Sequence, residues 1–421
     1  MTRWLALAAL LTLATPAVAQ TPAQVVQGLL KSPKMAGATA FIEQDYERFV
    51  RELITLTEIP APPFKEAARA KAYLEMLRAN GLTDVEMDAE GNVMGIRKGT
   101  GTGPMLAVLA HLDTVFPEGT NVTVRREGHR LFAPGVGDDT RGLAMMLAVV
   151  RAMDAAKFET ASDILFVGNV GEEGEGDLRG VKYLMQKGKY KDRIKRFIAL
   201  DGGNQDAIIN GGVGSLRYRV TFAGPGGHSY GAFGLVSPSF AMGNAIQKFS
   251  RIEVPEKPKT TFNIGVVGGG ASVNAIPADA WMLVDMRSES KDALGKVDAA
   301  FKRILAEAVD EENKARSTTQ GRITVEAKLI GDRPVGETPV NSEHVQLAAE
   351  TVKAFGMTPS YGFSSTDSNI PIALGIPAMT VGRGAGARAH SLDEYTDVEP
   401  GPTVQAIKIA MTMLLSVAGG R

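Results

Sequence analysis

The chain contains no cysteine, which excludes disulfides, thiolate metal sites and a cysteine nucleophile, and fits an exported protein that needs no oxidative folding. Histidine is scarce too, with five in 421 residues, so each one in a distinctive context carries weight. Neither sign of charge is in excess: 46 Lys and Arg stand against 47 Asp and Glu, for a formal net charge of -1. With no basic block and no Lys/Arg stretch interleaved with aromatics, nucleic acid is not an expected partner. The Gly-rich pieces GVGDDTRG and GRGAGAR match neither GxxxxGK followed by Ser or Thr nor GxGxxG, and no GxSxG elbow occurs. Past the N-terminus no apolar run reads as long enough to span a bilayer, and no internal repeat or low-complexity tract is visible.

What is present suits a compact exported enzyme. The chain is long enough for two domains, and 44% hydrophobic residues can fill their cores. It opens MTRWLALAALLTLATPAVAQ: a basic residue, an apolar run too short to span comfortably, and small residues Ala17, Val18 and Ala19. This reads as a signal peptide, residues 1–19, with cleavage after Ala19, and implies a periplasmic or secreted protein with no membrane association once it is removed.

The informative residues are acids and histidines at the ends of apolar runs. Met105 to Ala110 precedes His111 and Asp113, Ile164 to Val170 precedes Glu172 and Glu173, and Phe197 to Leu200 precedes Asp201. Each run reads as a buried strand, and a parallel α/β sheet carries its chemistry past such C-terminal ends. Asp138 precedes an amphipathic helix over Arg141 to Asp154, where a carboxylate is also an ordinary N-cap. His228 and His390 lie in Gly-rich or small-residue strand exits, whereas His129 and His344 sit in polar surroundings and are expected at the surface. Two histidines with three carboxylates form a ligand set for two adjacent divalent ions, and one glutamate is left over as a base.

The middle of the chain has its own pattern. Strand (Leu216 to Phe222), helix (Pro238 to Ser250), strand (Thr261 to Val267), strand (Ala280 to Arg287), helix (Lys291 to Asn313) and strand (Arg322 to Ile330) give the order βαββαβ, a ferredoxin-like module. It is inserted between Asp201 and His390, which must return to one site, so it reads as a lid. Elsewhere a polar segment follows the signal, then helices around Thr39 to Thr57 and Glu66 to Asn80, a strand pair near Val85 to Arg97, and helices near Val345 to Phe355 and Thr403 to Val417.

In their order, HLDTV, GVGDDTRG, GEEGEG, IALDG and AHSLDEY resemble the motifs of the co-catalytic zinc peptidases that include glutamate carboxypeptidase, succinyl-diaminopimelate desuccinylase, aminoacylase and peptidase T. The resemblance spans nearly the whole mature chain. It implies an α/β fold: a mixed-sheet catalytic domain over residues 20–213 and 331–421, with an α+β ferredoxin-like lid and dimerisation domain over residues 214–330. It implies one metal held by His111 and Asp201, a second by Glu173 and His390, and Asp138 bridging both. Zinc is the first expectation, cobalt or manganese the alternatives. Asp113 would receive the other imidazole N–H of His111, and Glu172 would be the general base. The Asp138–Asp139 peptide is expected to be cis.

In the smaller domain the resemblance assigns oxyanion stabilisation to His228, often across a homodimer, and substrate holding to Asn274 and Arg287, a guanidinium suiting a carboxylate. The run Ser364 to Pro371 adds polar groups without an assigned role. At Thr140 and Arg141 the chain departs from relatives that carry a lysine. An aspartate as fourth ligand, here Asp201, is commoner in the family among aminopeptidases and dipeptidases, so the expectation is a di- or tripeptide exopeptidase. A carboxypeptidase or N-acyl-amino-acid amidohydrolase on the same site is the alternative, and a non-catalytic peptide-binding protein the second. The complete set of ligands and base favours catalysis.

Overall fold

A computed structural model describes residues 20–421; the expected signal segment lies outside the described residues. Thr21 and Gln24 form a reciprocal capping box that starts the helix Pro22–Lys31, and Ser32 caps the next helix, Pro33–Thr57. The sequence reading of a polar segment here is therefore corrected. A hydroxyl followed directly by proline, as in Thr21-Pro22 and Ser32-Pro33, is a helix-start signal that outweighs the polar composition.

The strands that build the two main sheets are β1 (Thr83–Met87), β2 (Val93–Arg97), β3 (Met105–His111), β4 (Ile164–Asn169), β5 (Ile194–Gly202), β6 (Ala207–Gly212), β7 (Gly214–Ala223), β8 (Thr260–Gly269), β9 (Asp279–Ser288), β10 (Thr324–Arg333), β11 (Ser360–Ser364) and β12 (Ala378–Gly382). The larger sheet runs β1-β2-β4-β3-β5-β12-β6, ends on the short strand Gly336–Glu337, and carries β11 on β6. Its centre, β4-β3-β5-β12, is parallel, while β2 and β6 join that centre antiparallel. The sheet is mixed, as expected.

The two faces of β3 explain its unbroken apolar run. Leu106, Val108 and Ala110 enter a core shared with the helices Pro33–Thr57, Thr140–Ala155 and Pro400–Ala418. Met105, Ala107 and Leu109 enter a second core with the helix Arg179–Gln186. Burial on both sides leaves no polar alternation, and only the strand's end, His111, can present a polar group to a site. Pro400–Ala418 is long and apolar enough to cross a membrane, contrary to the sequence expectation. Most of its residues are buried, with Met411, Leu414 and Leu415 in the first core, and that packing accounts for its apolarity.

The smaller sheet has the order β8-β9-β7-β10, every pair antiparallel. The helices Pro238–Phe249 and Lys291–Ala315 pack on it around Phe222, Phe249, Met282 and Phe301. The chain order is the βαββαβ read from sequence, with β10 reaching Arg333, beyond residue 330. His344 departs from expectation. It is buried at the start of the helix Glu343–Ala354, and its Nε2 pairs with the Phe197 carbonyl oxygen of β5 at 3.0 Å. The polar residues ahead of it, Ser342 capping the helix and Glu343 exposed at its first position, hid the buried neighbour. His129 is exposed, as expected.

Candidate active site

The C-terminal ends of the four parallel strands converge. His111 ends β3, Glu172 and Glu173 follow β4, Asp201 lies near the end of β5, and Arg383 follows β12. Asp138 arrives from the loop ahead of the helix Thr140–Ala155. The N-cap of that helix is Asp139, which accepts from the Gly142 N–H at 3.2 Å and from the His111 N–H at 3.1 Å. With capping done by Asp139, the Asp138 carboxylate is free for the site. The peptide between them is cis, as the resemblance implies. Glu394 fixes the loop by accepting from the N–H groups of Gly135, Gly137 and Asp138 at 2.8–2.9 Å.

Asp138 stands between the two histidines. Its Oδ1 lies 3.0 Å from His111 Nε2 and its Oδ2 3.3 Å from His390 Nε2. His390 Nε2 is also 2.8 Å from Glu173 Oε1, and His111 Nε2 is 3.8 Å from Asp201 Oδ1. Three sets of side chains come close enough to hold a metal ion: His111 with Glu172 and Glu173; His111 with Asp139 and Asp201; and Asp138 with Glu173 and His390. His390 has left-handed backbone, φ 66°, and is half exposed, at the open edge of an otherwise buried cluster.

Asp113 is fully buried below His111. The nearer partner of His111 Nδ1 is the Asp113 main-chain oxygen at 3.0 Å; the Asp113 carboxylate is at 3.6 Å. That carboxylate accepts instead from the N–H groups of Glu172 and Glu173, at 3.1 and 2.8 Å, and so seats both glutamates. Glu172 is buried beside Arg333 of β10, whose Nη2 donates to the Glu172 main-chain oxygen at 2.5 Å and whose Nη1 is 3.3 Å from Oε1.

Crowding of carboxylates in a largely buried pocket sets the electrostatics. Burial pushes the Glu172 carboxyl well above its ordinary range, with Glu173 adding to the rise and Arg333 opposing it. Burial, reinforced by Asp138, raises Asp201 to about 6 against the pull of Arg383. Asp138 goes the other way: against the cost of burial, Arg383 and the two histidines hold it well below the carboxylate range. His390 is raised to about 10 by Asp138 and Glu173. The pocket is thus built to attract positive charge.

Three buried groups were not singled out from sequence. Arg383 was detectable by the rule that found the others, since it follows Ala378 to Gly382, a short run apolar but for Thr380. Glu394, in the same SLDEY motif as the histidine loop, and Arg333, at the end of a strand of the other sheet, carried no such signal. Arg141, noted as a departure, is buried and donates to Ala385 O, Thr396 Oγ1 and Asp397 O, tying down the loop that carries His390.

The remaining expected residues sit on the smaller unit. Gly227–His228 pairs with Ala275–Ile276, and the Ser229 N–H donates to Asn274 O, so His228 and Asn274 are neighbours in exposed turns. His228 Nδ1 accepts from Tyr230 and Gly231 in its own turn, and among the described residues it makes no hydrogen bond to the acid–histidine cluster. Arg287 lies on β9 beside Asp285 and lines a cavity of about 320 Å³ with Lys259, Thr261, Glu289, Ser364 and Ser365. The cavity adjoins the buried cluster, because Ser365 Oγ accepts from the same Arg333 Nη1 that approaches Glu172, at 3.1 Å.

Comparison with known proteins gives this geometry a family. Among characterised sequences, the chain is 25% identical to succinyl-diaminopimelate desuccinylase of Corynebacterium glutamicum, over 84% of this chain and 92% of that one. It is 23% identical to carboxypeptidase G2 of a Pseudomonas species, over 78% of each. Its fold resembles that of the aminopeptidase PepT of Bacillus cereus, with a TM-score of 0.71 and 22% identity over 89% of this chain and 99% of that one. The family model for peptidase family M20/M25/M40 matches residues 107–418, a span that contains the whole acid–histidine cluster, and the chain belongs to that family of metal-dependent hydrolases of peptide and amide bonds.

Proposed function

We propose that the chain is an exported exopeptidase that removes a residue from di- and tripeptides. Two divalent ions, zinc first and cobalt or manganese as alternatives, would be held by His111 and Asp201 on one side and by Glu173 and His390 on the other, with Asp138 between. The observation that carries this reading is the two-sided Asp138 carboxylate, one oxygen toward each histidine at 3.0 and 3.3 Å. The donors fit such ions, being imidazole and carboxylate with no thiolate, in a pocket whose buried acids need positive charge. When bound, the ions polarise the scissile carbonyl and acidify the attacking water.

Glu172 takes the proton from that water and passes it to the leaving amine, the role of a buried carboxylate beside the ligands but outside them. Burial raises its proton affinity, which suits a group that must hold the proton between the two transfers. Asp113 and Arg333 keep it in place through the main chain. Arg287 and Lys259 in the adjoining cavity bind the free carboxylate of the substrate. Because a cavity with two basic side chains against one acid, Glu289, also suits acylated amino acids and carboxypeptidase substrates, those remain the second reading. The names of the desuccinylase and carboxypeptidase G2 relatives are consistent with it.

His228 and Asn274 complete the site of a second copy in a homodimer formed through the smaller sheet. In support, β8 is an edge strand with Val266 and Val267 exposed, and Tyr230 and Phe233 near His228 are 90% exposed, a surface that asks to be covered. Light scattering of the purified chain tests the dimer. A panel of dipeptides, tripeptides, N-acyl amino acids and C-terminal glutamate conjugates tests the substrate: faster release of an N-terminal residue from short peptides is expected, and preferential cleavage of acyl groups would move the assignment to the second reading.

A further inference from the structure

The two proposed metal positions are chemically unequal because one of them contains a built-in cation. The Arg383 guanidinium is nine-tenths buried. Its Nη1 donates to the Asp201 main-chain oxygen at 2.6 Å and also engages the Asp201 carboxylate Oδ1; Nη2 stands 3.3 Å from Asp138 Oδ1, and Nη1 3.6 Å from Asp139 Oδ1. Those carboxylate oxygens, Asp201 Oδ1 and Asp138 Oδ1, are the same two that approach His111 Nε2. On the opposite side, Asp138 Oδ2, Glu173 and His390 have, among the described residues, no arginine as an ion-pair partner.

Arg383 is also held where it is. Its backbone N–H donates to Gly202 O. The next residue, Gly384, has φ +120° and lies against the buried Arg141 guanidinium, where an added Cβ would fall 2.4 Å from Arg141 Nη2. The loop therefore has little room to carry the guanidinium away from the acids. A fixed positive charge within a few ångströms of a divalent ion repels it, and its hydrogen bonds occupy lone pairs that the ion needs.

We infer that Arg383 makes the His111–Asp201 position the weaker, exchangeable metal site, so that an ion at Glu173–His390 binds first and tightly. This rests on the two-metal reading above. At such separations one unit of charge against a divalent ion amounts to a factor of about ten or more in affinity. Arg383 thus acts as a positioning residue: it keeps Asp201 and Asp138 aligned before the second ion arrives and sets how readily that ion leaves.

The test is calorimetric titration of the metal-stripped full chain with Zn²⁺. The wild-type chain is expected to show two binding steps separated at least about tenfold, with His111→Ala deleting the weaker step and His390→Ala the tighter. In Arg383→Met the weaker step tightens towards the other. Arg383→Lys keeps the charge and so keeps the separation, and it also serves should the Met variant fail to fold. Two bound ions with a separation unchanged in Arg383→Met, or lost in Arg383→Lys, would overturn the inference alone. A wild-type chain that binds no Zn²⁺ would overturn the two-metal reading and this inference with it.

Discussion

Arg333 of the smaller sheet grips Glu172, in the loop after β4 of the larger sheet, by the backbone: its Nη2 donates to the Glu172 carbonyl oxygen at 2.5 Å while Nη1 reaches towards the carboxylate at 3.3 Å. Arg217 of β7 does the same to Gly174, donating to its carbonyl oxygen at 2.5 Å. The loop that carries the proposed base is thus seated on one side by Asp113 and held on the other by two arginines of a different sheet. Its geometry depends on how the smaller sheet docks.

From this follows a split between binding and turnover. Arg333→Ala is expected to lower kcat by about ten- to a hundredfold through misplacement of Glu172, with KM and metal content little changed, and Arg333→Lys to recover part of the loss. Steady-state kinetics with metal analysis of each variant checks it. An unchanged kcat would show that the contact only fastens the two units.

Glu394 never needs to touch a metal to matter. It accepts three main-chain N–H groups in the loop that presents Asp138, and such supporting groups are worth about 10- to 100-fold in metal affinity. Glu394→Ala should weaken Zn²⁺ binding by that factor while the helix content seen by circular dichroism is retained. Affinity equal to wild type would contradict the role.

His344 predicts a pH effect on stability that is independent of the active site. Burial lowers its pKa from 6.5 to about 4, against the hydrogen bond to Phe197 O. Above pH 6.5 the ring is neutral in both folded and unfolded chains and contributes no slope. Between 6.5 and 4 the unfolded chain takes up a proton that the folded chain refuses, so stability falls as pH falls, by about 3 kcal/mol in all. Below 4 both states are protonated and the loss is complete. Urea unfolding across this range, compared with His344→Gln, should show a shallower fall in the variant; identical slopes would mean the ring is solvated.

Much of the site was legible because strand ends are punctuated. His111, Glu172, Glu173 and Asp201 each follow a short apolar run bounded by glycine or charge, and shortness with such bounds separates a buried strand from a buried helix such as Pro400–Ala418. The βαββαβ order was legible for a related reason, its alternation of periods. Arg333 and Glu394 were not legible, since each acts through main-chain groups distant in sequence, and a lone arginine at a strand end has the same local pattern whether it faces water or a carboxylate. His344 failed for the converse reason: the polar residues just ahead of it, Ser342 and Glu343, masked a ring turned into the core. The helix Pro22–Lys31 and the first turns of Pro33–Thr57 were missed because composition was weighed above the Thr-Pro and Ser-Pro starts.

The measurement that bears most directly on the central claim is hydrolysis of a short peptide by the purified chain, stripped of metal and then restored with Zn²⁺, beside Glu172→Gln treated in the same way. The account predicts turnover that vanishes on stripping, returns with the metal, and falls by about 10²- to 10⁴-fold in Glu172→Gln although that variant binds Zn²⁺ as well as the wild type. Cleavage that persists without metal, or proceeds at the wild-type rate in Glu172→Gln, would contradict it.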